Sequence, residues 1–235
     1  MQLAADIIQT GLCRTRVGVH RPKPSLFIYP GLRAKPVWKA ESDSQLSNMA
    51  SVLQSDHHII LQEYHNYRLI KRNDYNTDGD EHKLHSGEWN WNSYILKGKR
   101  ISEFAIHCPQ TVEILESFNQ PKLMSNVPFS YTFFSTLGRQ SSIAAHYGPC
   151  NLRLRCHFPL IVPSLSSPLP PLQSTTGTTS GDFLASNIQG KLQEEGPEIG
   201  MRVGGELVQW KVNEPVFFDD TYEHSGKHAI LSKHT

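Results

Sequence analysis

Hydrophobic positions divide this chain into a helical first half and a strand-rich second half. Leu46, Met49, Ala50 and Leu53 recur at i, i+3, i+4 and i+7, the spacing of a buried helical stripe. Asp56 is placed to cap a restarted helix that runs through Ile59, Ile60 and Tyr64. Trp89, Trp91 and Ser93 alternate with Asn90, Asn92 and Tyr94, which predicts a strand with a buried aromatic face. A further helix is predicted to start at Cys108-Pro109, with proline in its first turn, and to run through Val112, Leu115 and Phe118. From Ser130 onward the patterns are those of strands. Residues 1–25 read as an irregular lead-in that ends in the Pro22-Lys23-Pro24 breaker, and residues 29–38 as an extended arm anchored by Trp38. Residues 164–198 are Ser/Thr/Pro/Gly-rich at first and lack periodicity, so a disordered insert is predicted there.

One strand carries unusual chemistry. After the Gly148-Pro149 turn signal, residues 151–157 alternate polar and apolar. Successive side chains on a strand point to opposite faces. Leu152, Leu154 and Cys156 therefore share a face that can enter a core, while Asn151, Arg153, Arg155 and His157 share the other. His146 lies just across the turn. Two guanidinium groups and two imidazoles suit an anion with a metal beside it. The plain alternative is a half-exposed edge strand with solvated arginines. A second apolar run, Val216-Phe217-Phe218, leads into Asp219, Asp220 and His224.

Taken in order, Tyr29–Trp38, His85-Ser86-Gly87-Glu88-Trp89-Asn90-Trp91, Phe134-Ser135, the block from His146 to Pro163, and Gly200 to His224 resemble the aspartyl/asparaginyl β-hydroxylases. These are iron(II)- and 2-oxoglutarate-dependent oxygenases. The resemblance spans residues 26–235 as one domain and implies a mainly β fold, a double-stranded β-helix (jelly roll, cupin-like) with flanking N-terminal helices. It implies His146 and His224 as the two protein ligands to Fe(II). Non-haem iron is commonly held by two histidines and a carboxylate. The carboxylate position here is Gly148, an omission for which this family is known. The resemblance further implies that Ser135, Arg155 and His157 hold the cosubstrate 2-oxoglutarate, with Ser135 on a neighbouring strand. An arginine fork clamps a carboxylate with parallel hydrogen bonds. Trp89 and Trp91 are candidates for substrate contact and, equally, for core packing. Asp219 and Asp220 read as turn or supporting residues. The implied reaction is β-carbon hydroxylation of aspartyl or asparaginyl residues in protein substrates such as epidermal-growth-factor-like domains. Animal members of the family are often anchored in the endoplasmic reticulum by a helix ahead of the catalytic domain, an anchor not expected in this sequence.

Two features depart from the pattern. The family carries an arginine about ten residues after the second histidine, on a final strand. Here Lys233 and His234 stand there and the sequence stops at Thr235, so the last strand is expected to be missing. The family joins its strands across the 164–198 position with a shorter connection. Both departures fit an altered transcript product. A catalytically impaired relative acting as a binding protein, and an acyl-chain hydroxylase of the same fold, are the competing readings.

Composition narrows the rest. At 235 residues with a net charge of +1, the chain has no global field favouring nucleic acid, and it shows no nucleic-acid motif. No run of about eighteen apolar residues is present, and the first 21 residues lack the apolar core of a secretory signal. This leaves the cytoplasm open beside the endoplasmic reticulum. Cys13, Cys108, Cys150 and Cys156 lack paired spacing for zinc. Asp74–Gly79 mimics the start of a calcium loop, but its twelfth position is His85, where a bidentate glutamate is needed.

Overall fold

The computed structural model describes residues 22–71, 73–74, 85–119, 121–163 and 199–228. The predicted insert, most of the lead-in, nearly all of the mock calcium loop and the C-terminal positions 229–235 lie outside them.

Two helices follow the arm: α1 (Ser44–Ser55) and α2 (His57–Ile70). Asp43 caps α1 by accepting from the amides of Gln45 and Leu46, and Leu46, Ala50 and Leu53 are buried, as the stripe predicts. Asp56 does stand at the α2 N-cap, but its side chain makes no cap bond; its backbone carbonyl accepts from Ile59 and Ile60 instead. A helix absent from the sequence reading, α3 (Ser102–His107), precedes α4 (Pro109–Glu116). The buried face of α4 is Thr111 and Ile114, and Phe118 is buried just beyond its end. Buried Glu63 of α2 accepts from the amides of Gln110 and Thr111 at 3.1 and 2.8 Å, satisfying orphan donors at the α4 N-terminus.

The rest is mainly antiparallel sheet, a jelly-roll-like arrangement that does not close into a barrel among the described residues. One sheet runs β1 (Val37–Trp38), β10 (Val216–Phe218), β7 (Arg155–His157). The second runs β2 (His85–Ser86), β6 (Ser141–His146), β11 (His224–His228), β8 (Ile199–Val203), β9 (Glu206–Gln209). The third runs β4 (Lys99–Arg100), β3 (Trp89–Leu96), β5 (Thr132–Leu137). No described helix is long and apolar enough to cross a membrane.

The expected β3 strand is present, but both of its faces are covered. Trp91 stacks on Phe133 at 4.1 Å, while Tyr94 packs with Phe104 and Phe134 in the helix-side core. The expected strand over 151–157 is only three residues long and forms one edge of its sheet. Leu152, Leu154 and Cys156 are exposed rather than in the core, because that face is not covered by a packed layer among the described residues. Ser135 is on β5, which pairs with β3, so its strand is not the neighbour of β7. His224 does not end the Val216–Phe218 strand; it begins the next one, after the chain has crossed from the first sheet to the second.

Candidate active site

His146 ends β6 and His224 begins β11, and the two are direct cross-strand partners. Their ring centroids lie 4.0 Å apart. Each ring is oriented in the same way. His146 Nδ1 donates to the carbonyl of Ala144 at 2.8 Å, and His224 Nδ1 to the carbonyl of Tyr222 at 3.0 Å. A carbonyl only accepts, so the proton sits on Nδ1 and the lone pair on Nε2 in both rings. Backbone bonds of this kind fix the tautomer that a metal-binding imidazole needs. Flanking residues tie the strands again: Tyr147 Oη donates to Glu223 Oε2 at 2.8 Å.

The donor set suits a cation held by two neutral imidazoles. His224 is buried, and burial, then neighbouring His146, pushes its pKa down to about 3. Among the described residues, no group of three or more His, Cys, Asp or Glu could hold a metal ion. At position 148 a ligating side chain is excluded sterically. A Cβ on Gly148 would lie 2.3 Å from both Cγ and Oδ1 of Asp220. The Asp220 carboxylate occupies the space a side chain at 148 would need, and the Gly148 amide donates to the Asp220 carbonyl at 2.5 Å.

Asp220 in turn gathers the two arginines. Arg153 donates to Asp220 Oδ2 from Nη2 at 2.5 Å and from Nε at 3.2 Å, and to the Phe129 carbonyl from Nη1. Arg155 donates from Nε to the same oxygen at 3.0 Å. Burial opposes ionisation of Asp220, and the two guanidinium groups outweigh it, so its pKa is lowered. Asp219 serves the turn: its Oδ1 accepts from the amide and hydroxyl of Thr221 at 3.0 and 2.5 Å. Neither aspartate supports a histidine ring; the Tyr222 and Ala144 carbonyls do that.

The other predicted residues are distributed around this centre. His157 faces Phe218 edge-on at 4.8 Å, and Phe218 lies 5.5 Å from the His224 ring, so one phenyl group links these two imidazoles. Desolvation, then Arg155, lowers the His157 pKa to about 3. Ser135 lies on the third sheet, where its hydroxyl accepts from Trp89 Nε1 at 2.9 Å. Trp89 also meets the edge of His85, while Trp91 is buried in the stack with Phe133. The sequence reading missed the convergence of Arg153 and Arg155 on Asp220. Their shared parity was the available signal; the identity of the anion was not.

A pH dependence follows for the metal-free chain. His157 is neutral when folded and titrates near its ordinary value of 6.5 when unfolded. The unfolded state therefore binds more protons between about pH 6.5 and pH 3, and stability falls as pH drops through that window. Urea midpoints measured from pH 7 to pH 4 are expected to decline, with a slope of order 1 kcal/mol per pH unit from this ring. The slope should become shallower, not vanish, in His157→Asn, because His224 is depressed to about the same value; an equal slope in both proteins would refute the assignment.

The aspartyl/asparaginyl β-hydroxylase family model matches residues 54–230 of this sequence. The chain belongs to that family. Similarity to individual family proteins is low but extensive. Aspartate β-hydroxylase domain-containing protein 2 of Mus musculus is 24% identical over 207 residues, 88% of this chain and 49% of that protein. The Homo sapiens protein of that name matches at the same identity over 46% of its length. Aspartyl/asparaginyl β-hydroxylase of Homo sapiens is 22% identical over 85% of this chain and 22% of its own length. The chain thus spans about half, or less, of the relatives it matches.

Proposed function

We propose that this family member is an Fe(II)- and 2-oxoglutarate-dependent dioxygenase that hydroxylates the β-carbon of aspartyl or asparaginyl residues in a protein substrate. The observation that carries the reading is the His146–His224 pair, whose Nδ1 atoms are both committed to carbonyls and whose Nε2 lone pairs are thereby set for a metal. Bound iron and cosubstrate would supply the oxidising chemistry; the protein supplies geometry and electrostatics. His146 and His224 would hold the metal as neutral imidazoles. With only two protein ligands, more of its positions stay open to cosubstrate and water.

Arg155 and His157 would receive the cosubstrate carboxylate, with Ser135 donating its hydroxyl proton. The local charge count favours an incoming anion. Two guanidinium groups converge on the Asp220 carboxylate, and one positive charge is left over. Asp220 and Arg153 would fix the plane of the Arg155 guanidinium, so that little rotamer entropy remains to be lost on binding. Trp89, bonded to Ser135, would orient that hydroxyl.

Calorimetric titration of 2-oxoglutarate into the purified chain with Fe(II) present, without oxygen, tests the reading. Saturable binding that requires Fe(II) and disappears in His146→Ala and Arg155→Ala is expected. A folded chain that binds no 2-oxoglutarate would turn the search towards a non-enzymatic binding role. If binding is seen, peptides bearing Asp or Asn, epidermal-growth-factor-like modules among them, are the substrates to screen first.

A further inference from the structure

The arm over residues 23–38, part of it the Tyr29–Trp38 segment noted in the sequence, is not accounted for by the site chemistry. It precedes the part of the chain that matches the family model, yet it touches the loops on both sides of the histidine pair. On the His146 side, the amide of Ser25 donates to the Gly148 carbonyl at 2.8 Å. The amides of Leu26 and Phe27 donate to the Pro149 carbonyl at 3.0 and 3.1 Å. Asn151 then grips the backbone of Tyr29 twice: its Oδ1 accepts from the Tyr29 amide at 2.7 Å, and its Nδ2 donates to the Tyr29 carbonyl at 2.8 Å. On the His224 side, the Lys23 amide donates to the Thr221 carbonyl at 2.7 Å, and the Asp219 amide to the Pro36 carbonyl at 3.0 Å. Val37 and Trp38 pair with Phe218 and Phe217. The Lys23 ammonium lies 5.5 Å from the Tyr147 ring, beside His146.

These contacts fall on residues 147–151 and 217–221, a few positions from each histidine. They are mostly backbone bonds, so the arm holds main-chain positions rather than side chains. Pro36 adds a packing restraint: a Cβ at Gly204, which has φ +55°, would lie 2.8 Å from it.

We infer that residues 23–38 are a positioning strap that sets the affinity of the two-histidine centre for its metal. This rests on the proposed reading that the pair holds a divalent cation. A site with two protein ligands has fewer bonds with which to order itself, so its loops must be ordered before the metal arrives. The strap does this by bridging both loops to a single segment.

The test uses the full chain and anaerobic Fe(II) titration followed by calorimetry, with amide hydrogen exchange as the second readout. Asn151→Ala removes both bonds to Tyr29 and should weaken Fe(II) binding by roughly tenfold, the loss typical of outer-shell partners. It should also speed exchange at Thr221, on the opposite loop. Asn151→Asp keeps the acceptor for the Tyr29 amide and loses the donor, so its affinity should fall between the two. If the unsubstituted chain fails to bind Fe(II), the two-histidine reading fails and this inference falls with it. Equal Fe(II) affinity in all three folded proteins would overturn the strap alone, and so would unchanged exchange at Thr221.

Discussion

Placing a carboxylate at position 148 is expected to break this protein, not to complete a three-ligand iron site. The change Gly148→Asp looks, from the sequence, like restoration of a common non-haem iron pattern. In the fold, its Cβ would come within 2.3 Å of the Asp220 carboxylate, and its own carboxylate would then be forced against that group. Asp220 cannot withdraw cheaply, because it is buried and bonded to two arginines. Overpacking at such a site costs on the order of 3 kcal/mol, before like-charge repulsion is added. For a chain of this size the melting temperature should fall by about 10 °C. Gly148→Ala should show most of that loss, since the collision begins at Cβ. Thermal unfolding and Fe(II) titration of both variants are decisive. A Gly148→Asp protein that melts with the parent and holds iron more tightly would show that the space at 148 is open.

Removing the Asp220 charge should be comparably damaging for the opposite reason. Asp220→Ala leaves the Arg153 guanidinium, whose side chain is only 9% exposed, beside Arg155 with no anion between them. Breaking a buried ion pair by deleting one partner costs about 3–5 kcal/mol. The double variant Asp220→Ala/Arg153→Leu should recover part of this, because removing both partners costs less than leaving one unpaired. Urea unfolding of the two singles and the double gives the cycle. A strictly additive double variant would mean that the pair is not coupled. The depressed Asp220 pKa adds an acid dependence of its own. Its contribution is present above the unfolded value of about 3.8 and is lost as pH falls through the folded value. That loss lies below most of the His157 window and runs in the same direction.

The contrast between residues 148 and 220 shows where the sequence stops being readable. Short-range order was legible. The α1 stripe, the β3 alternation and the proline at the start of α4 all reflect periods or caps that depend on near neighbours. His146 and His224 could be nominated because the strings around them resemble the family, and the fold brings the two together. The destination of Arg155 was not, because its partner lies 65 residues away and reaches it only through the fold. Leu152 and Leu154 misled for a similar reason. Alternation tells which side chains share a face, but not whether another layer covers that face. Helix α3 was missed because six residues span less than two turns and show little periodicity. The two-sided burial of β3 was hidden by Asn90 and Asn92, which enter the interior with their amide nitrogens donating to specific partners, Asn90 to Glu88 and Asn92 to the Lys71 carbonyl.

The adjacency of β6 and β11 also has a bearing on synthesis. Tyr147 and Glu223, which tie the ligand strands together, are separated by 76 positions along the chain. A ribosome releasing this polypeptide would expose β6 well before β11 emerged. Until then His146 does not face His224, and one edge of β6 has none of its ladder bonds to β11. Loop closure over such a span must precede the reward of pairing, which makes it a slow and late event. The histidine pair therefore comes into being only when the sheet around it is nearly finished. On the proposed reading, a nascent chain would offer a metal His146 alone, and the facing pair would form only once β11 has joined the sheet.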